Sequence, residues 1–121
     1  MKIILLIPLF IFTSLNAGSI KGTVLAKGKI PQGVLYIFAK KFDGSMPMPL
    51  AVKRIANPEF PLEFELSEKD QMMKGMPFKG PFKITARISP SGSATDKSGV
   101  EKTTSKKVEI GDKGIQIILS K

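Results

Sequence analysis

The chain has 121 residues, a formal net charge of +9 at pH 7, and no histidine, cysteine or tryptophan. Without imidazole or thiol groups it cannot form a Ser-His-Asp triad, a Cys-His pair, a disulfide or a covalent haem-attachment sequence. These absences exclude the commonest nucleophilic and thiol chemistries.

The first 17 residues have the features of an export signal. Lys2 supplies a positive charge, residues 3–12 are continuously apolar, and residues 13–17 are polar or small. The apolar run is well short of the ~20 residues that span a bilayer, which argues against an uncleaved membrane anchor. We therefore predict a signal peptide over residues 1–17, and a periplasmic domain without a transmembrane span over residues 18–121.

Residues 18–121 are predicted to form short strands, because their apolar stretches end at Gly, Pro, Asn or Asp. Residues 33–40 are apolar on both faces, which is typical of a central strand. Residues 61–66 alternate strictly and direct their glutamates toward water. The predicted strands comprise residues 19–26, 33–40, 50–55, 61–66, 81–88, 104–110 and 115–119.

The connections and faces carry further signals. Ser67, followed three residues later by Asp70, has the spacing of a helix cap and predicts one helical turn. Thr85 and Arg87 alternate with apolar residues and are predicted to point outward. Residues 89–103 are polar and contain several Ser and Gly residues, which predicts a long flexible loop.

This pattern favours an all-β fold. Seven short strands with one helical turn are typical of an immunoglobulin-like antiparallel β-sandwich of two sheets. A small closed barrel is the alternative. No internal repeat or domain boundary is apparent after residue 18.

The polar residues do not suggest catalysis. Glu63 and Glu65 share one face of a strand, whereas the carboxylates that cleave glycosides face each other across a cleft. No glycine-rich segment has the spacing of a phosphate-binding loop. We therefore predict a non-enzymatic protein that needs no cofactor.

The positive charge is carried almost wholly by lysine, since Arg54 and Arg87 are the only arginines. Proteins that read nucleic acids rely on the bidentate contacts of arginine. The lysine excess therefore favours solubility, or weak attraction to anionic lipid or an acidic partner, over nucleic-acid binding.

Methionines form the most distinctive chemical feature of the chain. Five of the six lie between residues 44 and 76, namely Met46, Met48, Met72, Met73 and Met76. Thioethers are typical of adaptable protein-binding surfaces, and they are also soft ligands for Cu(I). We predict packing or peptide contact as their main role, with a Cu(I) site at the same five residues as the alternative.

Two prolines alternate with the first methionines, in the run Met46-Pro47-Met48-Pro49-Leu50. Proline restricts the backbone toward an extended form and removes amide donors. Such a segment suits a sheet edge that must not pair, or a pre-extended surface for another chain. Together with Arg54, this run is our candidate protein-binding edge.

Several of these segments resemble the C-terminal, periplasmic, immunoglobulin-like domain of the cytochrome c-type biogenesis protein H family (CycH, also called CcmI). Residues 44–54 are the most specific, since they resemble the family run G-x-x-M-P-L-A-V-x-R. Residues 86–94 resemble the family's A-R-V-S-K-S-G-N-A. Further similarity lies in residues 20–24, 34–40, 60–66 and 71–76.

The resemblance implies a domain that helps deliver apocytochrome c to the haem-ligation machinery outside the bacterial inner membrane. It implies a protein partner and a scaffold role rather than catalysis. The 121 residues contain none of the tetratricopeptide repeats associated with that family. We therefore expect a stand-alone exported domain that acts beside a separate repeat protein or has been reused for another role.

Overall fold

The computed structural model describes residues 18–72, 75 and 77–121. The predicted signal peptide, Met73 and Met76 lie outside the described residues. Within the described part of the chain, no helix is long and apolar enough to cross a bilayer. Its strands are β1 (Ser19–Lys27), β2 (Val34–Lys41), β3 (Ala51–Ile55), β4 (Leu62–Ser67), β5 (Phe82–Ser89), β6 (Glu101–Thr103) and β7 (Ile115–Ser120).

The strands form two sheets, as predicted for an immunoglobulin-like sandwich. The three-stranded sheet has the order β4-β1-β7, and the four-stranded sheet has the order β3-β2-β5-β6. All neighbouring pairs are antiparallel except β1 and β7, which run parallel. The sandwich is therefore confirmed over the barrel, with one parallel pair that the alternation did not predict.

The core lies between the two sheets. The side chains of every second residue on β2, β4, β5 and β7 enter it, and the alternation predicted for residues 61–66 and 81–88 is thereby confirmed. On β2 the outer residues are buried as well, which confirms it as a strand covered on both faces. The largest fully buried side chains are Phe82, Ile20, Leu35, Ile37, Leu66, Ile84, Ile88, Ile117 and Leu119.

The parallel pair depends on a glycine. A Cβ atom placed on Gly22 would lie 2.6 Å from the Ile115 carbonyl oxygen and 2.8 Å from Cζ of Phe64. Both distances are far below ordinary van der Waals contact, so glycine is required for β1 to approach β7 at this register.

The prediction of a strand over residues 104–110 was wrong. β6 ends at Thr103, and the next strand pairing is a single bridge between Phe82 and Val108. The Thr104 amide still donates to the Ile84 carbonyl oxygen (2.9 Å). Between these two contacts β5 spans two positions, from Ile84 to Phe82, whereas the opposite chain spans four, from Thr104 to Val108. The extra residues therefore bulge outward instead of continuing the ladder.

The predicted loop over residues 89–103 also needs correction, because its last residues form β6. The remainder is fixed by hydrogen bonds to β2 and β5. Tyr36 Oη donates to the Gly92 carbonyl oxygen (2.6 Å), and Arg87 Nη1 donates to the Ala94 carbonyl oxygen (2.6 Å). Residues 90–98 therefore fold back over the outer face of the four-stranded sheet.

This loop also buries two residues of the outer face. Thr85 and Arg87 were predicted to point outward, yet they are only 4% and 6% exposed. They do lie on the outer face, because their cross-strand partners there are Phe38 and Tyr36. Aromatic rings and the folded-back loop cover that face, so outward direction and solvent exposure are not equivalent here.

Candidate protein-binding surfaces

The predicted Met–Pro segment (residues 46–50) connects β2 to β3 at one end of the sandwich. The Leu50 amide donates to the Ala39 carbonyl oxygen (2.7 Å), and the Met72 amide donates to the Leu50 carbonyl oxygen (3.1 Å). A bridge also joins Ala51 to Gln71. The structure therefore brings Met72 alongside the Met–Pro segment, although they are more than twenty residues apart in sequence.

The side chains of this region divide into a buried and an exposed group. Leu50 is 5% exposed and belongs to the core, and Met46 packs against that core while partly buried. Met48 and Met72 are 49% and 51% exposed. Among the residues that the structure describes, Met48 and Met72 are thus the exposed thioethers of this region, whereas Leu50 is part of the core.

The turn before Met72 is rigidly built. The Ser67 amide donates to Asp70 Oδ2 (3.0 Å), and the Lys69 amide donates to Ser67 Oγ (3.2 Å). This is the predicted capping arrangement, found on a short 3-10 helix (Glu68–Asp70). Asp70 also forms an ion pair with Lys53 of β3 (3.1 Å), which fixes the turn against the sheet edge.

The start of the Met–Pro segment is fixed in a similar way. The Ser45 amide donates to Asp43 Oδ1 (2.8 Å). This hydrogen bond to the charged form lowers the pKa of the Asp43 carboxyl below its ordinary value. Pro47 and Pro49 then supply no amide hydrogen, so the exposed run offers few donors to a neighbouring strand.

Arg54 lies apart from the methionines. It is three residues beyond Ala51, a distance of roughly 10 Å along a strand. Its partner across the β2–β3 ladder is Tyr36, and its Nε donates to Tyr36 Oη (3.3 Å). The structure therefore does not join Arg54 to the Met–Pro segment.

Arg54 belongs instead to a network on the outer face of the four-stranded sheet. The rings of Tyr36 and Phe38 are stacked, with centroids 5.9 Å apart and planes inclined by 6°. The guanidinium carbon of Arg87 lies 4.9 Å from the Phe38 ring centroid, and Arg87 Nε donates to Glu101 Oε1 (2.7 Å). No sequence motif indicated this network, although Tyr36 and Phe38 alternate on β2 with the period of one strand face.

Lysines surround the network and make this face basic. Lys40 and Lys83 are directly opposite each other on β2 and β5. The pKa of Lys40 lies below its ordinary value, chiefly because of burial and then because of the charges of Arg87 and Lys83, with a smaller effect of Lys97. Glu101 acts in the opposite direction. The field at Lys40 is therefore predominantly positive.

At the other end of the sandwich, a groove of about 790 Å³ lies between the β1–β2, β3–β4 and β5–β6 connections. Arg54, Phe60 and Pro90 are among its lining residues. Among the predicted site residues that the structure describes, only Arg54 lines this groove. Nor do residues 18–72, 75 and 77–121 contain a cluster of three or more His, Cys, Asp or Glu residues suited to a metal ion.

Comparison with known proteins identifies the domain. Residues 20–119 match the family described as the cytochrome c-type biogenesis protein H Ig-like domain. The chain belongs to this family. The resemblance drawn from residues 44–54 and 86–94 is thereby confirmed, as is the immunoglobulin-like fold.

Two relatives differ in how much of their own length this chain matches. One is the cytochrome c-type biogenesis protein CycH of Pseudomonas aeruginosa, 36% identical over 78 residues, which are 63% of this chain but 18% of that protein. The other is an uncharacterised protein of Aquifex aeolicus, 30% identical over 105 residues, which are 84% of this chain and 69% of that protein. The chain thus corresponds to a small part of the CycH protein and to most of the Aquifex protein.

A solved structure supports the fold independently. An alternative pilotin from the type II secretion system of Vibrio cholerae is similar with a TM-score of 0.53 and 19% sequence identity. The similarity covers 84% of this chain and 94% of the pilotin chain. At this identity the likeness concerns the fold alone.

Proposed function

We propose that the chain is a non-enzymatic, exported module that acts in cytochrome c maturation by holding a protein partner at its Met–Pro segment. Membership of the CycH Ig-like family supports the association with cytochrome c maturation. The proposed surface rests on the exposure of Met48 and Met72 beside a proline-rich run.

The chemistry of this surface suits a peptide. Methionine side chains are unbranched and polarizable, so they adapt to apolar side chains of different shapes. The backbone of the segment is fixed by the Leu50 hydrogen bonds and by two prolines, so little conformational entropy is lost on binding. A rigid backbone that carries adaptable side chains favours recognition of an apolar stretch in a partner.

Family membership supports a proposal for the compartment and the partner. We propose that the domain works in the periplasm, after removal of residues 1–17, and that its partner is apocytochrome c or a component of the haem-ligation machinery. Because the match covers only 18% of the CycH protein, this role concerns the immunoglobulin-like domain and not the whole relative.

The test is recovery of partners from a strain that produces c-type cytochromes, using tagged exported protein and mass spectrometry. The variant Met48→Ser with Met72→Ser removes both exposed thioethers. Ile118→Ser is a matched control, because Ile118 is similarly exposed (46%) but lies on β7 of the other sheet. We expect the double variant to lose an apocytochrome or haem-ligation component that the control retains.

Two results would count against this proposal. Equal recovery by the double variant and the control would remove the Met–Pro segment as the contact surface. Unchanged levels of haem-stained c-type cytochromes in a deletion strain, together with recovery of no maturation component, would separate the chain from cytochrome c maturation.

A second candidate function uses the same thioethers to bind Cu(I). It is favoured by the backbone hydrogen bond that places Met72 alongside the segment of Met46 and Met48. Titration with Cu(I), followed by the methionine methyl resonances, tests this function. A saturable shift that the double variant abolishes would support it, and no shift at micromolar metal would rule it out.

A further inference from the structure

The outer face of the four-stranded sheet carries a second surface, which we name the basic face. It comprises Lys40, Lys83, Arg87 and Lys97. The charges of the last three each lower the pKa of Lys40. Lys40 and Lys83 are neighbours across the β2–β5 ladder, and Lys97 belongs to the loop that folds over this face. None of these residues is part of the Met–Pro segment.

The charges on this face are poorly balanced. Of the four charges with the largest effects on Lys40, three are cations, and the carboxylate of the fourth, Glu101, is already bound to Arg87 at 2.7 Å. Like charges placed directly opposite on neighbouring strands destabilise a sheet. The Lys40–Lys83 pair therefore lowers the stability of the free protein, and a bound anionic group would relieve that cost.

We propose that the basic face binds an extended, acidic segment of a protein partner. Carboxylates along such a segment alternate between two faces with a spacing of roughly 7 Å, so successive acids on one face can reach separate lysines. Binding of this kind rests on charge complementarity, which favours fast association and depends on ionic strength.

The buried aromatic rings distinguish a peptide from other polyanions. Tyr36 and Phe38 are 7% and 5% exposed, stacked on each other, with Arg87 above Phe38. They are not accessible for stacking with a nucleic-acid base, nor for insertion among lipid headgroups. What this face offers to solvent is the side chains of Lys40, Lys83 and Lys97, whose ammonium groups suit carboxylates.

The experiment measures fluorescence anisotropy of a labelled peptide of alternating glutamate and serine, with its glutamine counterpart as a blank. The protein is the exported form, purified from the periplasm. The test variant is Lys40→Gln with Lys83→Gln. The matched control is Lys27→Gln with Lys113→Gln, which removes the same charge from exposed positions away from the basic face.

We expect the wild-type protein to bind the glutamate peptide and not the glutamine peptide. The test variant should bind about fivefold more weakly or worse, and the control within about twofold of wild type. Raising the salt from about 0.02 to about 0.2 M should weaken wild-type binding, because the contacts are exposed charges. Met48→Ser with Met72→Ser should bind normally, so this result stands apart from the test of the proposed function.

Several outcomes would overturn the inference. These are absence of wild-type binding, equal weakening in the test and control variants, and salt-dependent self-association of the protein in place of peptide binding. Tighter binding to phosphatidylglycerol vesicles or to an oligothymidylate than to the peptide would assign the face to lipid or nucleic acid instead.

Discussion

Replacing Arg87 with methionine should destabilise the domain, because Arg87 connects several elements on the outer face of the four-stranded sheet. Arg87 is 6% exposed, and its guanidinium makes two short hydrogen bonds, to Glu101 Oε1 (2.7 Å) and to the Ala94 carbonyl oxygen (2.6 Å). It also lies over the Phe38 ring at 4.9 Å. Methionine retains an apolar stem for packing but none of these interactions.

The expected cost follows from what each partner loses. A hydrogen bond to a charged group contributes about 1.5–3 kcal/mol, and a cation–π contact about 1 kcal/mol. The Glu101 side chain is 43% exposed, and Ala94 is exposed, so water replaces part of both hydrogen bonds. We therefore expect a net loss of about 2–3 kcal/mol in the free energy of unfolding.

Glu101→Gln provides the contrast. The amide oxygen still accepts a hydrogen bond from Arg87, and half-exposed ion pairs contribute about 1 kcal/mol or less. The loss should therefore be clearly smaller than for Arg87→Met. Arg87 also keeps its hydrogen bond to the Ala94 carbonyl oxygen and its contact with the Phe38 ring in this variant, and Arg87→Met loses both.

Urea unfolding of the exported protein measures both values. For a domain of this size the slope is about 1 kcal/mol per M, so the midpoint for Arg87→Met should fall by roughly 2 M. Equal midpoints for the two variants would refute the reasoning, because the burial of Arg87 would then have no energetic consequence. A loss below about 0.5 kcal/mol for Arg87→Met would refute it as well.

Two further predictions concern strand pairing and charge. Gly22→Ala should cost about 1–3 kcal/mol, because its Cβ would lie 2.6 Å from the Ile115 carbonyl oxygen; a wild-type melting temperature would contradict the close approach. Lys40→Gln should raise the unfolding free energy at neutral pH by a few tenths of a kcal/mol, since it removes the charge repulsion between Lys40 and Lys83. Because the pKa of Lys40 is lowered from 10.5 in the folded state, wild-type stability recovers as pH rises through that pKa toward 10.5. The advantage of Lys40→Gln should therefore shrink over that range, and a constant difference in urea midpoints would show that the charge is not its cause.

Local sequence patterns were sufficient for most of the strands. The alternation over residues 61–66 and 81–88 places apolar residues on one side, and the side chain of a strand residue has only two directions available. The cap formed by Ser67 and Asp70 was equally predictable, because its partners are three residues apart. The prediction of residues 104–110 failed because the bulge depends on the register with β5, which no local pattern encodes.

The candidate site was only partly predictable. The methionines beside prolines were evident in the sequence, but the proximity of the Met–Pro segment to Met72 depends on the Leu50 backbone hydrogen bond. Arg54 looked like a neighbour of that segment because it follows Leu50 by only four positions. Its position opposite Tyr36 places it in a different network.

The sequence by itself determined the excluded chemistries, the family and the arrangement as a two-sheet sandwich, because composition, motifs and apolar alternation are properties of short segments. The tertiary structure decided which residues share a surface. Lys40 meets Lys83 and Arg87 meets Glu101 only through strand register, and residues 90–98 bury an outer face that alternation would leave in water. Contacts between distant segments depend on how the sheets pair and where the loops return, and these are set by packing of the whole domain.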